Sequence, residues 1–261
     1  MKKMMMDNAA EIARLCKSLR ISQGLAQRAM TAVGKTNQEY LINLFTEEVN
    51  ARRELRAERY RKDADFPYIE SFDEFVPDEV EFPEGLSFAE CRDLKFLNEM
   101  KNIVMYGKTG TGKTMLSICI GLEACRRDIP VHFFRTAALI NLLVEYRSEK
   151  RISRLKEDLN KAKILILDEF GYVPYDITGA QLLFDYLSEI HGKKVVILNT
   201  NKEFSQWSNI LYDQDMASAL IGRLTHRCHL LLFPGENYRF KNSTIANAYK
   251  KMEEKKKTGK K

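Results

Sequence analysis

No apolar run in this chain approaches the length of a membrane span, so nothing in it predicts a transmembrane helix. A secretory core is also lacking: Lys2 and Lys3 precede three methionines, but Asp7 and Asn8 end the apolar run at once. Only six of the 261 residues are proline, which leaves little room for long disordered stretches. The five cysteines (Cys16, Cys91, Cys119, Cys125 and Cys228) are odd in number and contain no CxxC pair. They argue against a disulfide framework and predict reduced thiols in a cytoplasmic protein. His226, Cys228 and His229 lie close together but match no zinc-ligand spacing, so no metal site is expected there.

What is present is enough apolar material, 44% of residues, for one large α/β domain and a small appendage. The net charge is +6, and its distribution says more than its size. Residues 50–62 carry six basic and two acidic side chains, residues 147–163 seven and three, and residues 250–261 seven and two. Positive charge gathered into blocks suits a polyanionic partner, although each block alone also reads as a solvated helix face.

Residues 1–65 read as a small all-helical domain, with Ile12, Leu15 and Leu19, then Leu41, Ile42, Leu44 and Phe45, at helical spacing. Residues 66–100 carry Pro77, Pro83, Gly85 and many acids, which predicts a linker followed by a lead-in helix at about 87–100. From residue 101 to 245 the pattern alternates. Strands are expected at 102–106, 131–135, 163–168, 194–199 and 229–233, with helices at about 113–127, 137–160, 178–191 and 214–224. Five buried-type strands separated by helices predict an α/β fold with a five-stranded parallel sheet covered on both faces. A last helix after residue 240 and a basic tail at 246–261 complete the reading.

The segment Gly107-Lys108-Thr109-Gly110-Thr111-Gly112-Lys113-Thr114 matches G-x-x-x-x-G-K-[ST] in full, between an apolar strand and a helix-forming stretch. Its glycines let backbone N–H groups converge on phosphate oxygens. Lys113 brings a positive charge to the β- and γ-phosphates, and the Thr114 hydroxyl is a hard ligand for Mg²⁺. Together these residues predict ATP–Mg²⁺ binding. Ile164–Leu167 form an apolar run closed by Asp168 and Glu169, a buried strand delivering two carboxylates where ligands of open α/β sheets bind. Asp168 is the expected metal residue and Glu169 the expected general base for an attacking water. A third strand ends in Leu198-Asn199-Thr200-Asn201, from which a polar side chain can reach the γ-phosphate; these are also ordinary turn residues.

The stretches Asp168-Glu169-Phe170-Gly171-Tyr172-Val173-Pro174, Thr178–Phe184, Phe204-Ser205-Gln206-Trp207, Ala219–His229 and Gly235-Glu236-Asn237-Tyr238-Arg239 carry a resemblance. The chain resembles AAA+ ATPases of the helicase-loader type, and among them most the IstB-like helpers of insertion-sequence transposition. This resemblance spans essentially the whole chain. It implies the AAA+ P-loop core, with Asp168 and Glu169 one strand removed from the loop. It favours Asn201 over Asn199 as the polar sensor, makes Arg223 an arginine finger presented to a neighbouring subunit, and suggests Arg239 as a sensor in cis. It further implies a homo-oligomer with ATP at the subunit joints, which grips duplex DNA with little sequence preference and serves a transposase. Arg147, Lys150, Arg151, Arg154 and Lys156 are then the expected DNA-facing residues. A replicative helicase loader of the DnaC type shares the fold and the chemistry and is the alternative.

Overall fold

The computed structural model describes residues 2–22, 24–172 and 175–238. The helix expected after residue 240, the tail 246–261 and Arg239 lie outside the described residues. The chain divides into two compact units, one up to Arg59 and one from Tyr60 onward. In the first, α1 (Lys2–Ser18), α2 (Gly24–Thr31) and the first part of α3 (Asn37–Ala64) enclose a small core of Cys16, Leu25 and Leu44. The Tyr40 hydroxyl donates to the Ala29 carbonyl at 2.7 Å and ties α3 to α2.

The second unit is a parallel sheet of five strands: β1 (Asn102–Gly107), β2 (Val131–Arg135), β3 (Ile164–Phe170), β4 (Val195–Thr200) and β5 (Cys228–Phe233), in the order β2-β3-β4-β1-β5. Side chains alternate across a strand, so each strand feeds two cores. Ile103, Met105, Ile164, Ile166, Val195 and Ile197 face α5 (Lys113–Arg126). Val104, Leu165, Leu167, Val196 and Leu198 face the opposite layer. That layer holds α6 (Thr136–Ser148), α7 (Ile152–Leu159), α8 (Ile177–Ile190), α9 (Trp207–Leu211) and α10 (Gln214–Thr225). Burial on both faces explains why the central strands β1, β3 and β4 read as continuous apolar runs. The chain reverses its direction across the sheet after β1, which places the C-terminal ends of β1, β4 and β3 side by side at a topological switch point.

Two expectations need correction. Residues 66–100 are not a linker: Phe72, Phe75, Leu86, Cys91, Leu94 and Phe96 are buried in the α5-side core. Glu81 pairs with Leu232 in an antiparallel bridge and covers the edge of β5. Composition misled because the acids and prolines face outward while aromatic anchors at wide spacing are buried. The lead-in helix is short, α4 (Phe88–Arg92), started by a Ser87–Glu90 capping box and followed by Leu94 at φ 57°. The expected helix 137–160 is two helices. Lys150 takes φ 58° and Arg151 N donates to Tyr146 O at 2.8 Å, a Schellman-type ending where three charged residues leave no apolar anchor.

The segment after Ala64 is held to the core at Gly121 of α5, where a methyl group would come 2.7 Å from the Phe66 ring. Gly121→Val is expected to destabilise the protein by about 1–3 kcal/mol through overpacking. Urea unfolding measures this, and the loss should shrink when Phe66 is also cut to Ala. An equal loss in both backgrounds would detach Phe66 from the core.

Candidate nucleotide site

β1 ends at Gly107 and the chain turns through Gly110 at φ 81° and Gly112 at φ 100° into α5. Only glycine takes such angles without strain, and the turn they make brings successive N–H groups to one side. No side chain caps the start of α5, so its first N–H groups are left for a ligand. Lys113 is buried, and its ammonium donates to Gly107 O at 2.7 Å and Lys108 O at 2.6 Å, bracing the loop across its mouth. Burial depresses the Lys113 pKa to about 8, against the opposing pull of Asp168.

The Thr114 hydroxyl lies 3.1 and 3.0 Å from the two oxygens of Asp168, which is buried at the end of β3. Asn199 of β4 donates its amide to Asp168 Oδ1 at 2.9 Å, and its own carbonyl faces the Ser117 hydroxyl of α5 at 2.9 Å. Thr136 donates to the Asp168 carbonyl at 2.8 Å. The carboxylate is thereby held from the loop, from α5 through Ser117, and from the neighbouring strand.

Glu169 is turned the other way. Asp168 shares the strand parity of Ile164 and Ile166, yet Phe170, two residues on, is buried in the opposite core, 4.4 Å from the Trp207 ring. The change of face is made by Glu169 at φ 56°, within a break of register between β3 and β4. A left-handed non-glycine residue costs roughly 1 kcal/mol, and such strain concentrates at working sites. The Glu169 carboxylate is half exposed and lies 3.9 Å from Arg135 Nε at the end of β2.

Gly107, Thr109, Gly110, Thr111, Gly112, Lys113, Thr114 and Asp168 thus come together, with Glu169 beside them. Asn201 follows the end of β4, and Asn199 occupies the place beside Asp168. Arg223 lies apart on α10, its guanidinium 5.2 Å from the Phe184 ring, and its Nη1 is buried with no hydrogen-bond partner. Arg147, Lys150, Arg151 and Arg154 are exposed around the α6–α7 break, whereas Lys156 is paired with Glu189 at 2.6 Å. Arg151 also pairs with Glu149 at 2.8 Å. Among the described residues no cluster of three or more metal-ligating side chains exists, and no helix is long and apolar enough to cross a membrane.

The sequence carries no separate signal for Ser117 or Thr136, and the resemblance ranks Asn199 below Asn201. An asparagine inside an otherwise apolar strand was the available signal, since a buried amide needs partners.

The chain resembles known proteins in both sequence and fold. The family model for IstB-like ATP binding proteins matches residues 13–246. The insertion sequence IS21 putative ATP-binding protein of Pseudomonas aeruginosa is 31% identical over 217 residues, 82% of this chain and 81% of that one. The IS232 putative ATP-binding protein of Bacillus thuringiensis subsp. berliner is 30% identical over 207 residues, 78% and 82% of the two chains. Among solved structures, a DNA replication initiation factor superposes with a TM-score of 0.53 at 20% identity, covering 70% of this chain and 56% of that one. AMPPCP-bound DnaA from Aquifex aeolicus gives 0.52 at 20% identity, covering 69% and 54%. This chain spans little more than half of those two initiator chains, and the likeness is one of fold, the AAA+ P-loop core.

A nucleotide whose phosphate oxygens reach Lys113 would restore the charge that burial takes from it, and its binding would therefore take up a proton above a pH of about 8. Nucleotide affinity is expected to fall about tenfold per pH unit above that value. Titrations from about pH 7 to about pH 10 measure it. A flat profile would show that Lys113 does not meet the phosphates.

Proposed function

The chain belongs to the IstB-like ATP binding protein family and is an ATPase of AAA+ fold; from this we propose that it assembles with ATP and Mg²⁺ on duplex DNA and assists a transposase in inserting DNA. The observation that carries the catalytic part is the convergence of Thr114 and Asp168, with Glu169 turned outward at the next position. A hydroxyl and one carboxylate, both hard oxygens about 3 Å apart, suit Mg²⁺, which keeps waters and phosphate oxygens as its other ligands. Bound there, Mg²⁺ would neutralise charge on the β- and γ-phosphates. Lys113 holds the same phosphates, and Glu169, half exposed and turned away from the face of Asp168, orients and deprotonates the attacking water. Asn201, just beyond the end of β4, senses the γ-phosphate, and Arg239 serves as the sensor in cis.

Arg223 supports the assembled form. Its Nη1 has no acceptor within its own chain, which supports a partner elsewhere, reached by the side chain turning away from the Phe184 ring. We assign it to the nucleotide of an adjacent copy, where it stabilises transition-state charge. ATP at such a joint makes assembly nucleotide-dependent by mass action. The exposed side chains of Arg147, Lys150, Arg151 and Arg154 supply phosphate contacts without base reading. The relatives' association with insertion sequences supports the transposase as partner, and a cytoplasmic setting follows from that role. The helical N-terminal part, residues 1–65, serves self-association or the transposase.

Glu169→Gln should retain ATP, lose at least about a hundredfold in turnover, and stay on duplex DNA. Neutralising Arg147, Lys150, Arg151 and Arg154 in that background should flatten the salt dependence of DNA binding by about three to four logarithmic units per decade. Turnover equal to the parent would remove Glu169 as base. An unchanged salt slope would move the DNA surface elsewhere.

A further inference from the structure

The phosphate loop is also held from its outer side, by the segment that follows β5. Tyr238 N donates to the Gly110 carbonyl at 2.9 Å. One residue earlier, the Asn237 carboxamide lies against Gly110 so closely that a methyl group there would come 2.1 Å from Oδ1. The segment is backed in turn by Glu79, whose carboxylate would lie 2.3 Å from a methyl group at Gly235. None of these contacts is explained by the sheet, since β5 ends at Phe233.

The contact at the Gly110 carbonyl has a consequence inside the loop. A trans peptide is planar, and its C=O and N–H point in opposite directions. Drawing the Gly110 carbonyl outward to Tyr238 therefore turns the Thr111 N–H inward, to the concave side of the loop. Glycine at φ 81° has little intrinsic preference to hold that plane, so without the outer bond the Gly110–Thr111 peptide is free to turn over. The Thr111 side chain fixes the next position by donating to Lys108 O at 2.8 Å.

We propose that Asn237 and Tyr238 form an outer strap that positions the phosphate loop, orienting the Thr111 N–H toward the nucleotide's phosphates. Asn237 is a positioning residue: it fills the space above Gly110 and keeps the Tyr238 N–H in line with the carbonyl. This rests on the reading of residues 107–114 as the ATP site. An N–H that meets phosphate in substrate and product alike changes ground-state binding, so the strap governs affinity and leaves the chemical step to Glu169.

The test uses the full chain with Mg²⁺, ADP titration by calorimetry, and steady-state ATP hydrolysis. Tyr238→Pro deletes the N–H, and Asn237→Leu removes the carboxamide. Each is expected to raise the ADP Kd and the KM for ATP about three- to tenfold, the range carried by one hydrogen bond, with kcat within about twofold. Glu236→Ala, exposed in the same segment, is the control and should match the parent. Unaltered Kd and KM in Tyr238→Pro and Asn237→Leu would overturn the strap. So would a loss confined to kcat and accompanied by a lower Tm, which a merely structural role predicts. Failure of the parent itself to bind ADP would instead overturn the ATP reading.

Discussion

The second unit is organised around one buried carboxylate. Asp168 sits at the end of β3 with hydrogen bonds from Thr114 and Asn199 and a further bond to its own carbonyl from Thr136. A carboxylate taken out of water needs such partners, and here each comes from a different element. The phosphate loop, β3 and β4 are joined through that single side chain, and Ser117 extends the chain of bonds into α5. Whatever occupies the loop is thereby felt at the strand ends, because Thr114 belongs to both the loop and the carboxylate.

The geometry at Glu169 follows from the same constraint. Asp168 must face α5 to meet Thr114, and Phe170 must face the other core to meet Trp207. A regular strand cannot place two residues of equal parity on opposite faces. The left-handed turn at Glu169 resolves the conflict and presents its carboxylate to solvent beside Arg135. The local strain thus separates the buried acid, Asp168, from the half-exposed one, Glu169.

Much of this was legible in the chain. The eight-residue loop and the acids closing Ile164–Leu167 carry their chemistry in their order, and the central strands β1, β3 and β4 show as apolar runs because both faces of the sheet are covered there. Strand parity would also have found Asn199: it lies on the same face as Val195 and Ile197, hence toward α5, whereas Asn201 lies beyond the end of β4. The resemblance pointed to Asn201, and the geometry around Asp168 belongs to Asn199. The packed stretch 66–100 was hidden because scattered aromatics give no periodicity. The contact of Asn237 with Gly110 was hidden because it joins residues far apart in sequence that neither charge nor pattern connects.

The central claim is that each ATP site is half of a shared one, completed by Arg223 of the next copy. Mixing Arg223→Ala protein with Lys113→Ala protein tests it most directly. In the mixture, some joints pair an intact loop with an intact Arg223. The account predicts ATP hydrolysis in the mixture clearly above that of either variant alone. A mixture no more active than its parents would contradict it.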